Sequence, residues 1–335
     1  MILIYTNKED SHPTNVIKYL TEWNVPVFRL NTESLLTDYQ FSWWCDASGC
    51  DFHIRNIRND KEMFGHQLSA VWDRRAMVPT ELPLHNIKEE IDKFNLEEAH
   101  GFLSFLRYYM KDVYSVGNIV EDRPADSKML QLALAKRLGM QTPSTCFANY
   151  KAPIAQFALN FPDLSLKSIC GDGIFVGGEE EYVFYAQKAK SEDVMAQPEE
   201  VFSQTVSFVQ NYVEKQYELR ITVIGDDVVA CKIDSQLQED ATGKIDWRQG
   251  YEHGLRHEIV SVPNNITEFC RVFLKEMKLN FGCFDFIVTP EGEYVFLECN
   301  PNGQWLWIEL LTGFDLSKIM AKHLARYENV NWELY

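Results

Sequence analysis

The order of apolar and polar positions divides the chain into three parts. Residues 2–5 form a short apolar run, residues 11–24 a helix candidate and residues 25–30 a second apolar run, which predicts a β-α-β opening. Residues 87–114 carry apolar side chains at helical spacing, which predicts a long helix. Turn residues at 116–124 indicate a boundary. We therefore place domains at residues 1–116, 117–208 and 209–335.

The second and third parts alternate between helical and strand-like patterns. Residues 129–138 predict a helix, residues 164–169 a strand and residues 199–208 another helix. Residues 217–225 and 228–233 alternate with a period of two, which predicts strands. Within the first of these strands the side chains of Glu218, Arg220 and Thr222 share one face, so Glu218 and Arg220 are expected to project together into a cleft.

The last strand-like pair predicts a hairpin. Residues 284–288 and 295–301 are joined by a turn that contains Pro and Gly. The hairpin offers three hard oxygen ligands, Asp285, Glu298 and Asn300. Because Glu298 and Asn300 lie two apart, they point the same way, and pairing with Asp285 would gather two carboxylates and an amide on one face. This pattern favours a Mg²⁺ site; the alternative is a half-buried strand that happens to carry acids.

Composition limits the class of protein. The chain has 335 residues, of which 46% are apolar, and this predicts a folded globular protein. A formal net charge of −17 argues against a nucleic-acid binder. The N-terminus lacks the pattern of a signal peptide and no apolar run is long enough for a membrane span, so we expect a cytoplasmic protein without a membrane partner. Eight dispersed cysteines without a Cys-x-x-Cys motif predict reduced thiols rather than disulfides or zinc ligands.

An anionic ligand of such an acidic chain must meet local positive charge. The candidate cations are Arg74, Arg75, Lys128, Lys167, Arg220, Lys232 and Arg248. A glycine-rich segment at 171–178, which includes Gly171 and Gly173, follows the strand that carries Lys167. Four glycines in eight residues allow backbone amides to approach phosphate oxygens closely. An ordinary hairpin turn is the alternative interpretation.

Several motifs, taken together, resemble a known family. In chain order they are Ser127-Lys128, Lys167 before the glycine-rich segment, Gln210-Asn211-Tyr212-Val213, Glu218-Leu219-Arg220, Cys231-Lys232-Ile233, and the acids of the last hairpin. This order resembles the ATP-grasp fold over residues 118–335, and the first 115 residues are similar to its Rossmann-like pre-ATP-grasp domain. The fold class expected is therefore α/β and α+β. Residues 72–75, 245–248 and 298–309 resemble the graspetide ligases, the microviridin-type enzymes that cyclise ribosomally made precursor peptides.

The resemblance implies a role for each matching residue, with ATP and Mg²⁺ as cofactors. Lys128 and Lys167 would bind the nucleotide phosphates, under a lid formed by residues 171–178. The implied adenine and ribose ligands are Gln210, Tyr212, Val213 and Glu218. The implied metal ligands are Asp285, Glu298 and Asn300. The implied catalytic cations are Arg220, Lys232 and Arg248. The family commonly has an acid where this chain has Asn211, so recognition at that position would fall to the backbone.

The implied reaction joins a Glu or Asp side chain of a precursor peptide to a Thr or Ser hydroxyl. ATP would first convert the carboxylate to an acyl phosphate, a step that needs positioning and charge neutralisation rather than an enzyme nucleophile. Formation of an ω-amide with Lys, or a small-molecule carboxylate–amine ligase, is the alternative. A nucleotide-binding module without ligase activity is a third possibility. His253 or His257 is a candidate base for the hydroxyl, whereas a metal site at these two histidines lacks a third ligand.

The peptide itself needs contacts beyond the nucleotide site. Arg74, Arg75 and Arg248 are expected to bind the acidic core peptide, with structural salt bridges as the alternative. The acidic segment at 179–200, in particular Glu192 and Asp193, is a candidate docking surface for the leader peptide, with solvated surface as the alternative. The resemblance also implies a homodimer.

Overall fold

The computed structural model describes residues 1–47, 49–84, 88–117, 124–169, 173–176, 180–237, 241–249 and 254–328. The first part of the chain contains, in order, β1 (Ile2–Thr6), α1 (Ser11–Glu22), β2 (Val27–Asn31), α2 (Leu35–Asp38), β3 (Tyr39–Asp46), β4 (Gly49–Asn56), β5 (Glu62–Phe64), β6 (Ala70–Asp73), α3 (Glu89–Tyr109) and β7 (Tyr114–Val116). Short 3₁₀ turns occupy Thr32–Ser34, Gly65–Gln67 and Ser235–Leu237.

The predicted β-α-β opening is confirmed as one side of a parallel sheet in the order β2-β1-β6-β7. All five residues of β1 are buried, as expected of a parallel strand that is covered on both faces. Helix α1 begins where it does because the side chain of Asp10 accepts a hydrogen bond from the N–H of His12. The long helix predicted at 87–114 exists as α3 but ends at Tyr109, because Tyr114 already pairs with Ala70 in the sheet.

The antiparallel sheet β3-β4-β5 corrects the prediction that the cysteines are reduced. Its first two strands place Cys45 directly opposite Cys50, and the two sulfurs form a disulfide. This pairing could not be predicted from the sequence because it depends on the register of the two strands. Cys231, Cys283 and Cys299 are unbonded and buried, as predicted.

The middle part contains α4 (Lys128–Arg137), β8 (Thr145–Ala148), α5 (Lys151–Ala158), β9 (Asp163–Lys167), β10 (Gly173–Val176), β11 (Glu180–Val183), β12 (Gln187–Lys190), α6 (Ser191–Ala196), α7 (Glu199–Ser203) and β13 (Ser207–Asn211). Four of these strands form an antiparallel sheet in the order β12-β9-β13-β8, and β10 and β11 form a separate hairpin. The helix predicted at 199–208 was wrong in its second half. It ends at Ser203, and Phe208, Val209 and Gln210 are buried in β13.

The third part contains β14 (Tyr217–Ile224), β15 (Asp227–Ile233), α8 (Ala241–Ile245), β16 (His257–Val260), α9 (Asn264–Glu276), β17 (Phe281–Val288), β18 (Tyr294–Asn300), α10 (Leu306–Thr312) and α11 (Leu316–Ala325). Its antiparallel sheet has the order β16-β15-β14-β17-β18. The predicted hairpin is confirmed as β17 and β18, with Asp285 opposite Glu298 and Cys283 opposite Asn300.

Two apolar clusters fix this sheet in the molecule. Helix α9 packs Phe269 and Phe273 against Phe284, Phe286 and Phe296 of the last hairpin. A second cluster joins the first part of the chain to the third, since it contains Ile2, Trp72, Phe281, Trp305 and Leu324. The parallel sheet is thereby held against the residues that follow β18. Within the described residues, no helix has the length and apolar character needed to cross a bilayer.

Candidate active site

A cleft of about 770 Å³ lies between the middle sheet and the third sheet. Most of the sequence-predicted site residues line it: Arg75, Lys128, Lys167, Gln210, Tyr212, Val213, Glu218, Arg220, Arg248, Asp285, Glu298 and Asn300. The described lining residues include six Lys or Arg and five Asp or Glu side chains. The cleft therefore carries a slight excess of positive charge inside a chain of net charge −17.

Asp285, Glu298 and Asn300 converge on the floor of the cleft. The Asn300 amide donates to Asp285 Oδ2 at 3.1 Å and to Glu298 Oε1 at 3.3 Å. Burial raises the pKa of Asp285, although the nearby Arg220 opposes this rise. Burial acts to raise the pKa of Glu298, but Lys128, Lys167 and the Asn300 amide together outweigh burial and lower that pKa. Two carboxylates held this close require a cation between or beside them.

The donor set suits Mg²⁺. Two carboxylates and one amide give a partial shell of hard oxygens, which leaves positions for water and phosphate. The orientation of the Asn300 amide is compatible with this role, since a flip about its last torsion exchanges the NH₂ group for the carbonyl oxygen. Among the described residues, no group of three or more His, Cys, Asp or Glu side chains is arranged to hold a metal ion.

Lysines approach this cluster from two elements. Lys128, the first residue of α4, forms an ion pair with Glu298. Lys167, the last residue of β9, is half-buried, and burial lowers its pKa, with further lowering by Lys128 and Lys215. The ammonium groups of Lys128 and Lys215 near that of Lys167 make this part of the cleft suited to polyanionic phosphate.

Strand β14 contributes the next two side chains. Arg220 donates to Asp285 Oδ2 at 3.2 Å, and Glu218 pairs with Lys215. Lys215 also donates to the carbonyl oxygen of Ile245 at 2.9 Å. Burial raises the pKa of Glu218, and the Lys215 ammonium opposes the rise. The prediction that Glu218 and Arg220 project into one cleft is confirmed.

The connection after β13 forms another wall. The N–H groups of Asn211 and Tyr212 donate to the carbonyl oxygens of Ser144 (3.1 Å) and Asp163 (2.9 Å). The N–H of Val213 has no hydrogen-bond partner among the described residues. The side chain of Gln210 is also engaged, since it donates to Thr145 Oγ1 at 3.0 Å. Of the backbone N–H groups at 211–213, that of Val213 is thus the one available to a ligand.

A rim of aromatic and charged residues borders the cleft near α8. Asp246 binds the Arg248 guanidinium through both carboxylate oxygens, at 2.9 Å and 2.7 Å. The same carboxylate accepts from the N–H of Ala186 at 3.1 Å. The Trp247 and Trp307 rings lie 4.9 Å apart, and His257 lies edge-on to Trp307 at 5.2 Å. Two distant motifs, at 245–248 and 298–309, therefore meet here.

The structure separates two predicted cations from the cleft. Lys232 pairs in register with Leu219, so alternation sends its side chain to the face opposite Arg220, where it binds Asp234 at 2.7 Å and covers the Tyr217 ring. Lys232 is therefore not among the described residues that line the cleft, and its catalytic role stays a prediction. Arg74 is 0% exposed and binds Asp10 at 2.9 Å, which corrects its prediction as a peptide ligand in favour of the structural alternative.

Other predicted residues lie elsewhere or outside the described chain. Glu192 and Asp193 are exposed in the first turn of α6 and do not line the cleft. Gly173 begins strand β10, whereas Gly171 and His253 lie outside the described residues. Two residues of the cleft, Lys215 and Asp246, have positions that the sequence did not indicate. A single Lys has no pattern that distinguishes it from surface, although the motif at 245–248 drew attention to Asp246.

Comparison with known proteins agrees with this arrangement. Residues 1–123 match the family described as the MvdD pre-ATP grasp domain, and residues 125–324 match the RimK-like ATP-grasp domain. Among curated proteins, none matches the chain.

Similar solved structures cover almost the whole chain. One is a RiPP-associated ATP-grasp ligase from Chryseobacterium gregarium in complex with ADP and a leader and core peptide, with 28% identity, a TM-score of 0.85 and coverage of 98% of this chain and 97% of that one. Another is the macrocyclase MdnC of Microcystis aeruginosa bound to precursor peptide MdnA, with 25% identity, a TM-score of 0.80 and coverage of 97% and 99%. The macrocyclase MdnB of the same organism shares the fold at 23% identity and a TM-score of 0.73, with coverage of 96% and 98%. The fold class expected from the sequence is confirmed.

Proposed function

This chain belongs to the ATP-grasp family of ATP-dependent ligases, and we propose that it cyclises a ribosomally made precursor peptide. In the proposed reaction ATP phosphorylates a Glu or Asp side chain of the peptide. A Thr or Ser hydroxyl then attacks the acyl carbon, phosphate leaves, and an ω-ester closes the ring. Phosphorylation is needed because a carboxylate by itself would have to expel oxide.

One observation carries this proposal: the carboxylate–amide cluster lies within a single cleft with cations from two other elements, Lys128 on α4 and Arg220 on β14. Phosphoryl transfer depends mainly on positioning and on neutralising charge that spreads over the phosphate oxygens. A nucleotide-binding module has no use for two half-buried carboxylates beside the phosphates unless they hold a metal.

The nucleotide is assigned to the middle-sheet side of the cleft. Lys128 and Lys167 bind the phosphates, and Glu218 accepts from the ribose hydroxyls. The adenine edge meets the backbone at Val213, whose N–H is available, beside the ring of Tyr212. Asn211 stands where the family commonly has an acid. Here its side-chain amide donates to the Tyr212 carbonyl oxygen at 3.4 Å and so holds the backbone that meets the adenine edge.

Asp285, Glu298 and Asn300 would hold Mg²⁺, which when bound neutralises and orients phosphate oxygens. Arg220 already lies beside Asp285 and is placed to stabilise charge on the transferring group. Arg75 and Arg248 also line the cleft and are assigned to carboxylates of the core peptide. The bidentate contact with Asp246 fixes the orientation of the Arg248 guanidinium.

Two relatives support a peptide substrate, since one was solved with a leader and core peptide and the other with a precursor peptide. Formation of an ω-amide with Lys is the second candidate, because the same acyl phosphate accepts either nucleophile.

The test is mass spectrometry of a short precursor peptide, encoded beside the gene, after incubation with enzyme, ATP and Mg²⁺. We expect the loss of one water per ring, with the mass restored by mild alkaline hydrolysis if the rings are esters. Rings that resist alkali would favour the amide. An unchanged peptide mass would contradict both.

A further inference from the structure

Arg74 and its neighbours form a buried polar contact between the parallel sheet and the loop that follows the metal ligands. Arg74 extends from the end of β6, and its Nη1 donates to the carbonyl oxygens of Asn302 (2.7 Å) and Gly303 (2.8 Å). Its Nε donates to Asp10 Oδ2 at 2.9 Å. The guanidinium therefore satisfies two loop carbonyls and one carboxylate at once, with no exposure to solvent.

His12 makes a second contact with the same loop. Its Nε2 accepts from the N–H of Trp305 at 3.1 Å and lies 3.4 Å from the N–H of Leu306, at the start of α10. Its other ring nitrogen, Nδ1, lies 2.7 Å from Asp10 Oδ1 and donates to it, because Nε2 is an acceptor. Since α10 has no side-chain cap of its own, His12 supplies one from the first part of the chain.

The loop transmits this contact to Asn300. A Cβ added at Gly303 would lie 2.4 Å from the Cβ of Cys283 and 3.3 Å from the Cβ of Asn300, so the loop packs directly on both. Asn300 in turn bridges Asp285 and Glu298. A shift of the loop therefore moves the one ligand that holds the two carboxylates together.

We infer that Arg74 and His12 are positioning residues for the proposed metal site, through which the first part of the chain sets the geometry of Asn300. This inference rests on the proposed function of Asp285, Glu298 and Asn300. Partners that orient metal ligands without touching the ion commonly change metal affinity or activity by about 10–100-fold when they are altered.

The test measures ADP affinity by calorimetry, with Mg²⁺ and with a chelator in its place. Arg74→Lys keeps the charge beside Asp10 but loses the fork that reaches two carbonyls. We expect the gain in ADP affinity caused by Mg²⁺ to fall about tenfold, with the Mg²⁺-free affinity within about twofold of the parent. Arg55→Lys is the control, since the Arg55 guanidinium binds Asp60 at 2.7 Å on the β3-β4-β5 sheet of the first part of the chain.

A second pair of variants decides the matter if Arg74→Lys does not fold. His12→Phe removes the acceptor of the α10 amides and is expected to reduce the Mg²⁺ effect, while His12→Gln keeps an acceptor and is expected to restore most of it. An undiminished Mg²⁺ effect in folded Arg74→Lys or in His12→Phe would overturn the inference. Absence of any Mg²⁺ effect in the parent protein would instead remove the proposed metal site.

Discussion

Each carboxylate of the central cluster already has its own cation, Lys128 for Glu298 and Arg220 for Asp285. Without these partners, two partly buried negative charges at one place would cost several kcal/mol. The arrangement also explains why the two pKa shifts have opposite signs, since Lys128 contacts Glu298 directly while burial dominates at Asp285. A cation and a polyanion that enter together can replace these ion pairs without leaving a charge unpaired.

Substitution of a metal ligand is expected to abolish turnover and leave the fold intact. Glu298→Gln removes a charge and Asn300→Ala removes an oxygen, so each should raise the barrier by at least about 3 kcal/mol, more than roughly 100-fold in rate. The measurement is cyclisation rate under saturating ATP, with circular dichroism to verify folding. Glu293→Gln, an exposed carboxylate in the turn between β17 and β18, is the control and should behave as the parent. Near-parental cyclisation by either ligand variant would refute the assignment.

Arg75 and Arg248 are expected to serve the peptide and not the nucleotide. Arg248→Ala and Arg75→Ala should each lower cyclisation by about tenfold or more, the scale of a lost hydrogen bond to a charged group, while ADP affinity stays unchanged. Calorimetry with ADP and a cyclisation assay separate the two effects. Arg256→Ala is the control, because Arg256 is exposed and pairs with Glu258 on β16. A parallel loss of ADP affinity would move the two arginines to the nucleotide site.

For these residues the sequence predicted which side chains share a strand face, but it did not predict which side chains are buried. Glu298 and Asn300 were predictable because two residues in a strand with even spacing must share a face. Arg74 and Arg75 are neighbours of the same type, and nothing in the sequence indicates which one is buried. The backbone separates them, since Arg75 has a φ of 49° and its carbonyl accepts from Asn7 Nδ2 at 2.6 Å, so that Arg75 turns into the cleft.

At the scale of helices and strands, the last hairpin was predictable from the sequence, whereas the register between neighbouring strands was not. The β17–β18 hairpin has its own turn signal, and its alternation fixes which side chains gather. The position of Lys232 was not predictable, because β15 pairs with β14 in a register that a motif does not reveal. The helix predicted at 199–208 failed because apolar residues at 202, 206 and 209 fit both a helix and the approach to a buried strand.

Alanine substitutions at two glycines can test how tightly the loop after β18 packs against Cys283 and Asn300. Gly303→Ala would force the loop away from Cys283 and should lower the free energy of unfolding by about 1–3 kcal/mol. Gly101→Ala, in the middle of α3 with no atom within 4 Å of the added Cβ, should raise it by about 0.5–1 kcal/mol. Urea denaturation midpoints measure both. Equal effects at the two positions would contradict the packing described for the loop.

Across the whole molecule, charge is distributed unevenly. The chain carries a net charge of −17, whereas the described lining of the cleft has six cationic and five anionic side chains. ATP and an acidic peptide are therefore repelled less in the cleft than at the acidic surface around it. The same acidity outside the cleft suits a basic segment of a partner.

Leader docking is expected to depend on the acidic first turn of α6. Glu192→Lys with Asp193→Lys should weaken leader binding and remove activation by a leader supplied in trans, while basal cyclisation of a leaderless core survives. The measurement is leader affinity at two salt concentrations. Charge reversal of Glu89 and Glu90, an exposed acidic pair in the first turn of α3, is the matched control. Unchanged, salt-insensitive leader affinity in the α6 variant would place the docking surface elsewhere.

If this cleft uses ATP to activate a carboxylate of a peptide, the released phosphate must carry an oxygen atom from that carboxylate. An oxygen-isotope experiment follows this atom. The side-chain carboxylates of the precursor peptide are enriched in ¹⁸O, and the phosphate released during cyclisation is analysed by mass spectrometry. Attack of the carboxylate on the γ-phosphorus, followed by displacement of phosphate from the acyl carbon, transfers one peptide oxygen to phosphate for each ring. We expect one ¹⁸O-labelled phosphate per ring formed. Cyclisation with unlabelled phosphate would contradict this mechanism.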